Sequence, residues 1–239
     1  MINLLGENIA SSRWNEKKKK QILQSRIQST DAIAKAIVKL KTPPGIYIGA
    51  SAVGLYGERG DTFCSEEMPS GDGFLASVCK GWEKAADPLI KAGVRVTFLR
   101  IGVVLSPKGG ALNKMLPAFR LGLGGPLGNG NQYMSWIALD DLIAIILFTL
   151  ITPAIHGPLN AVSPHPVTNK EFTKVLGKVL GRCTVLKLSA FLLKLLFGKE
   201  MAEELFLTST RAIPTKLTDE GYSFLYPDLQ KALSSMLLK

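Results

Sequence analysis

Two apolar runs that break at glycine constrain the fold of this chain more than any other feature. Ile46-Tyr47-Ile48 leads into Gly49-Ala50-Ser51-Ala52-Val53-Gly54-Leu55-Tyr56-Gly57, and Thr97-Phe98-Leu99-Arg100-Ile101 leads into Gly102-Val103-Val104-Leu105. Short continuous apolar runs bounded by turn residues read as strands buried on both faces, the pattern of a parallel sheet covered by helices. The flanking sequence supplies those helices. Asn15 is suited to cap a long stretch in which Ile22, Ile27, Ile33, Ala36, Ile37 and Leu40 fall mostly on one side, and Pro43 and Pro44 stop it. A second helix is expected from about Phe74 to Ala86, with the next strand starting at Val94. Strand–helix–strand alternation builds right-handed parallel crossovers with helices on both faces of the sheet.

The first six residues, Met1-Ile2-Asn3-Leu4-Leu5-Gly6, read as the end of an inner strand entering a ligand-facing loop. A glycine-rich turn able to cradle a pyrophosphate is therefore expected ahead of residue 1, not within the chain. The glycines of Gly122 to Gly130 form a turned loop and not a phosphate loop, because no Gly-Lys-Ser/Thr follows. Ser135 to Leu139 reads as a short strand, after which Asp140 or Asp141 is expected to cap a helix running to Leu150. Thr168-Asn169-Lys170-Glu171 fits a capping box, and Gly181 closes the helix that it opens. Further helical stretches are expected at 189–197, 199–208 and from Asp228. The expected division is a partial dinucleotide-binding domain over 1–162, with 106–135 reaching the substrate side, and a small mainly helical lobe over 163–239.

Composition excludes several classes. The net charge of +10 comes largely from Lys17 to Lys20 and from scattered helix lysines, with no aromatic-interleaved basic patch, so nucleic acid is not an expected partner. Three cysteines and two histidines give neither a disulfide framework nor a metal site. The longest apolar run, Leu142 to Ile151, is about half of what a bilayer span needs, and no export leader is visible, so no membrane partner and a reducing, cytoplasmic setting are expected.

Ligands of an open parallel sheet sit beyond the carboxyl ends of its strands, and four segments place unusual residues there: Asn3 to Asn8, Gly49 to Gly57, Gly102 to Leu105, and Trp136 to Asp141. Asn-Leu-x-Gly-Glu-Asn-Ile with Arg13-Trp14, Ser51-Ala52-Val53-Gly54-x-Tyr56-Gly57, Phe119 to Gly128, Met134-Ser135-Trp136-Ile137 with Asp140-Asp141-Leu142, and Met201-Ala202-Glu203-Glu204-Leu205 together resemble one family along essentially the whole chain. That family is the atypical extended short-chain dehydrogenase/reductase group known as the epimerase family, and within it the 39U subfamily. The resemblance implies a Rossmann core, NADP(H) ahead of NAD(H) as cofactor, a small-molecule substrate, and a substrate lobe at the C-terminus. It also implies an N-terminal part of roughly fifty to sixty further residues, about two βα units.

Enzymes of this group use a Ser or Thr together with a Tyr and a Lys spaced i, i+4 on the following helix. Ser51 matches the first position, whereas Leu75 and Cys79 stand at the Tyr and Lys positions, and neither can do that chemistry. Cys79 is expected to be a buried, inert thiol. The cofactor-side candidates are Asn3, Leu4, Gly6, Glu7, Ala50, Ser51, Gly102 and Val103, with Ser51 also the catalytic candidate. Glu7 and Asn8 either contact cofactor or cap the next segment; Arg13 and Trp14 either form a cleft wall or simply pack. Tyr56, Arg120, Gln132 and Trp136 complete the substrate-side candidates, while Arg100 is expected in a structural ion pair. Three functions remain open at this point: an oxidoreductase or epimerase-like enzyme, a nucleotide-binding regulatory protein with little turnover, and a truncated chain unable to bind cofactor.

Overall fold

A computed structural model describes residues 1–238. Its strands are β1 (Ile2–Asn3), β2 (Ile46–Ala52), β3 (Phe63–Cys64), β4 (Arg95–Ile101), β5 (Val103–Leu105), β6 (Tyr133–Met134), β7 (Trp136–Ala138), β8 (Gly157–Ala161), β9 (Val167–Thr168) and β10 (Arg211–Ala212). Its helices are α1 (Glu16–Val38), α2 (Phe74–Lys84), α3 (Asp87–Lys91), α4 (Gly110–Arg120), α5 (Leu139–Ile151), α6 (Asn169–Leu180), α7 (Ala190–Phe197), α8 (Lys199–Ala202), α9 (Thr215–Asp219) and α10 (Leu229–Leu237). The main sheet runs β1-β2-β4-β8 with every pairing parallel, Ile46 lying opposite Arg95 and Leu99 opposite Leu159.

Strand alternation assigns the two faces of this sheet. Tyr47, Val96 and Phe98 point to one side, where they pack on Ala34 and Ile37 of α1 and Leu89 of α3. Ile48, Leu99 and Leu159 point to the other, against Leu142 and Ile145 of α5. The strands are buried on both faces, as their continuous apolar runs require. A third cluster joins Leu112, Leu116 and Phe119 of α4 to Phe172 and Leu176 of α6 and Leu229 and Leu233 of α10.

The helix signals at Asn15, Thr168 and Asp228 are realised as side-chain caps, accepting from the backbone N–H of Lys18, Glu171 and Lys231 respectively. Gly181 ends α6 in the left-handed region, at φ 63°. The stretch 97–105 serves two sheets: it breaks at Gly102, and β5 leaves the main sheet to pair with β7. A Cβ at Gly102 would lie 2.6 Å from the Ser135 carbonyl oxygen, so only glycine permits this change of partner. Neither Asp140 nor Asp141 caps α5, which starts at Leu139 behind Ala138; Asp141 is fully buried and accepts instead from the N–H groups of Leu225 and Tyr226, at 2.8 and 2.9 Å. The helical stretch expected over 199–208 is short α8 followed by a wide π-type turn from Glu203 to Leu207. Among the described residues no helix is long and apolar enough to cross a membrane.

Candidate functional site at the carboxyl ends of the strands

Beyond the ends of β2 and β4 lies a cavity of about 620 Å³. Ala52, Val53, Gly102 and Val103 form its floor, and Leu75, Val78, Cys79 and Trp82 line it from one face of α2, as spacings of three and four residues dictate. Met134 and Ser135 close one side, while Leu205, Leu207, Thr208 and Thr210 cover it from the later part of the chain. The covering segment is tied to α2 by one carboxylate: Glu204 accepts from the N–H groups of Phe74 and Leu75, each at 2.7 Å. Gly73 makes room for that contact, since its φ is 105° and a Cβ there would stand 3.0 Å from Glu204 Oε1.

Of the residues singled out in the sequence, Gly102 and Val103 line the cleft, as do Leu75 and Cys79. Ser51 is not among the lining residues: its hydroxyl faces α2 and donates to Glu83 Oε1 at 2.7 Å, while its neighbour Ala52 lines the cleft. Glu83 in turn holds Arg100 through both guanidinium arms, at 3.0 and 3.1 Å, in the structural ion pair expected for that arginine. Ala50 is buried and also lies outside the lining.

Tyr56 is also absent from the lining. It is fully buried, donates to Asn160 at 2.7 Å and accepts from Arg100, and burial pushes its phenol up to about 12. Trp136 is a core residue whose indole N–H is spent on the His165 carbonyl. Gln132 is buried with its amide N–H groups donating to Leu127 and Phe206 carbonyls. Arg120 is exposed on α4, outside the residues lining the cleft. Asn3 is a scaffold residue, buried and donating to Thr30 and Tyr47.

The loop after β1 is held by packing, one ion pair and hydrogen bonds. Glu7 pairs with Lys18, Arg13 donates to the Leu195 and Leu196 carbonyls, and Trp14 meets Phe74 edge to face at 5.0 Å. Leu4 and Gly6 are exposed, and a Cβ on Gly6 would touch the Arg26 guanidinium at 2.9 Å. Arg26 was not legible as a site residue because it sits within the polar face of a long helix. It lines the cleft, stacks over the Trp82 ring at 4.9 Å, and burial holds its guanidinium below the usual arginine range. Glu58 and Glu204 were also missed, since each reaches the cleft through a loop whose path no local pattern sets.

Burial pushes the Cys79 thiol up to about 11, so at neutral pH it is an uncharged, apolar lining group. Among the described residues no cluster of His, Cys, Asp and Glu is placed to hold a metal ion.

A parallel sheet flanked by helices, with its cleft at the carboxyl ends of the inner strands, is a Rossmann-like α/β fold. Over 100% of its length the chain superposes on human epimerase family protein SDR39U1, solved with NADPH, at a TM-score of 0.93 and 36% identity, covering 81% of that chain. It is 42% identical over 233 residues to the epimerase family protein Mb2239 of Mycobacterium bovis, 98% of this chain and 76% of the other. A structure described as a nucleoside-diphosphate sugar epimerase from Corynebacterium glutamicum matches at TM-score 0.80 and 36% identity, over 99% of this chain and 45% of that one. Residues 188–236 match a domain of unknown function, DUF1731. The chain belongs to the epimerase family, in the branch that includes SDR39U1.

Proposed function

We propose that the cleft takes NADP(H), in preference to NAD(H), and that the protein is an oxidoreductase or epimerase-like enzyme acting on a small metabolite. The observation that carries this reading is the apolar cleft lining of Ala52, Val53, Gly102 and Val103 at the strand ends, in a chain that superposes on an NADPH-bound relative at TM-score 0.93. The donor set fits the nicotinamide end of the cofactor: an uncharged floor suits the ring, and Arg26 stands at the edge as the one lining guanidinium. Hydride transfer is the chemistry the cofactor supplies when bound.

The chain's own part is positioning and exclusion of water. Val53, Leu75 and Val103 shape an apolar slot, and the Glu203–Leu207 turn covers it, held down by Glu204 on α2. Ser51 does not polarise a substrate, because its hydroxyl is committed to Glu83. The division into a cofactor-binding part over 1–162 and a substrate-side lobe over 163–239 belongs to the same proposal. In it β10 pairs with β3 across that boundary, and the covering turn comes from the later part.

A second reading, a nucleotide-binding protein with little turnover, is favoured by one observation. Leu75 and Cys79 both face the cleft, at the positions where the resemblance places an acid/base Tyr and its Lys. Thermal melts with millimolar NADPH or NADH test cofactor binding, since a ligand selective for the folded state raises stability. NADPH is expected to raise the midpoint more than NADH, and a melt that ignores both would refute the proposal. Substrate-dependent oxidation of bound NADPH then separates an enzyme from a binding protein.

A further inference from the structure

The cleft has a charge character opposite to that of the whole molecule, and this bears on its substrate. The chain carries a net charge of +10, yet Glu58, Asp72, Glu203 and Glu204 line the cleft against the single guanidinium of Arg26. All four carboxylates lie on the loop after β2, on the turn into α2, or on the covering segment. Arg26 donates to the Glu7 carbonyl and stacks on Trp82. Three of the four have local partners: Glu203 pairs with Lys194 at 2.7 Å, Glu58 accepts from Gly60 and Ser209 N–H groups, and Glu204 accepts from the first N–H groups of α2. Asp72 is exposed.

The usual seat for an anion in such a cleft is a helix N-terminus with free N–H groups. On the α2 side of the cleft that seat is filled by the protein itself. The first N–H groups of α2, on Phe74 and Leu75, are both taken by the Glu204 carboxylate at 2.7 Å. An arriving phosphate would have to displace a tethered carboxylate and then sit beside Asp72 and Glu58. A pyrophosphate brings two negative charges, and nearby carboxylates repel them where water is partly excluded. What the substrate side offers instead is apolar surface: Leu75, Leu205, Leu207 and Met134.

From this charge pattern, together with the reading of the cleft as a cofactor site on which it rests, we infer that the substrate is an uncharged or cationic small molecule with an apolar portion, and not a nucleoside-diphosphate sugar. The family name would suggest the latter. The Glu204 clasp and the acidic rim select against it through repulsion, the means by which sites reject a wrong partner.

The test reads the field in the cleft directly and needs no cofactor. In the full chain carrying Cys79→Ala and Leu75→Cys, the rate of disulfide formation at position 75 is measured with two methanethiosulfonates, one bearing a trimethylammonium group and one a sulfonate. In each case the thiolate attacks the sulfenyl sulfur and methanesulfinate leaves. Exposed Cys183 in the same molecule is the internal reference for the overall charge. The cation-to-anion rate ratio at position 75 is expected to exceed that at Cys183 by about tenfold, and Glu58→Gln with Asp72→Asn to lower it severalfold. Val53→Cys repeats the measurement from the floor of the cleft, so a poorly folded Leu75→Cys variant does not decide the matter.

An anionic reagent that reacts at both cleft positions as fast as the cationic one, relative to Cys183, would overturn the inference. So would protection of position 75 by UDP-glucose at about millimolar concentration, a strength of binding worth roughly 4 kcal/mol. The NADPH melt is a separate experiment, so failure of the cofactor reading and failure of the charge inference give different results.

Discussion

The Ser51 hydroxyl donates at 2.7 Å to Glu83 Oε1 on α2, the helix that lines the cleft. Its neighbour Ala52 carries the methyl group that faces the cleft. Ser51→Ala is therefore expected to act on stability, at about 1 kcal/mol for one buried hydrogen bond, with NADPH affinity changed by less than about threefold. Ala52→Leu, which adds volume to the floor, is expected to weaken NADPH by about tenfold or more with little loss of stability. Urea unfolding and NADPH titration on the two variants check this, and the reverse pattern would restore Ser51 to the cleft.

Glu83 and Arg100 form a two-armed pair whose side chains are 16% and 8% exposed. Breaking such a pair leaves a buried guanidinium uncompensated, so Glu83→Ala is expected to cost about 3–5 kcal/mol. Replacing both, as Glu83→Leu with Arg100→Met, removes the stranded charge. That double variant is expected to unfold at a higher urea concentration than Glu83→Ala alone. A double variant less stable than the single one would mean that the pair contributes more than its own desolvation costs.

Glu66 is 4% exposed; one carboxylate oxygen accepts from the Asn160 N–H at 3.0 Å and the other has no partner. Burial raises its pKa above the usual carboxylate value. The folded state then holds a proton that the unfolded state releases at lower pH. Stability from this group is full below the ordinary carboxylate pKa and is lost as pH rises through the raised one. Glu66→Gln is expected to flatten that part of the decline, seen as a wild-type-minus-variant difference in urea midpoint that falls from pH 4 to pH 7. A difference independent of pH would show that the carboxyl does not titrate there.

Asp141 is fully buried and anchors the chain at Leu225 and Tyr226. Hydrogen bonds to a buried charge are each worth about 1.5–3 kcal/mol. Asp141→Ala is expected to cost at least about 2 kcal/mol and to raise amide exchange selectively at Leu225 and Tyr226. Exchange that rises evenly over the whole molecule would indicate instead a loss of the α5 core.

Much of the scaffold was legible in local pattern. The apolar runs at Ile46 and Thr97 are parallel strands, and Asn15, Thr168, Gly181 and Asp228 mark helix ends. These signals survive because they depend on a residue and its neighbours within about one turn. Gly102 and Val103 were recoverable for the same reason, as a strand end is set by the run preceding it. So were Leu75 and Cys79, whose shared helix face follows from their four-residue spacing.

What the sequence determined by itself is thus the α/β class, the sheet's burial on both faces, and a helix face lacking the acid/base pair. Tertiary structure alone decided which way each polar group turned. Ser51, Tyr56, Gln132 and Trp136 carry the chemistry of site residues, but Glu83, Asn160, Phe206 and His165 claim their hydrogen bonds from distances of 29 to 104 residues along the chain. Glu204 reaches α2 across 129 residues and converts a helix end that could bind an anion into one already neutralised. A buried polar atom must find a partner wherever the fold brings one, and that partner is set by packing rather than by neighbours in sequence.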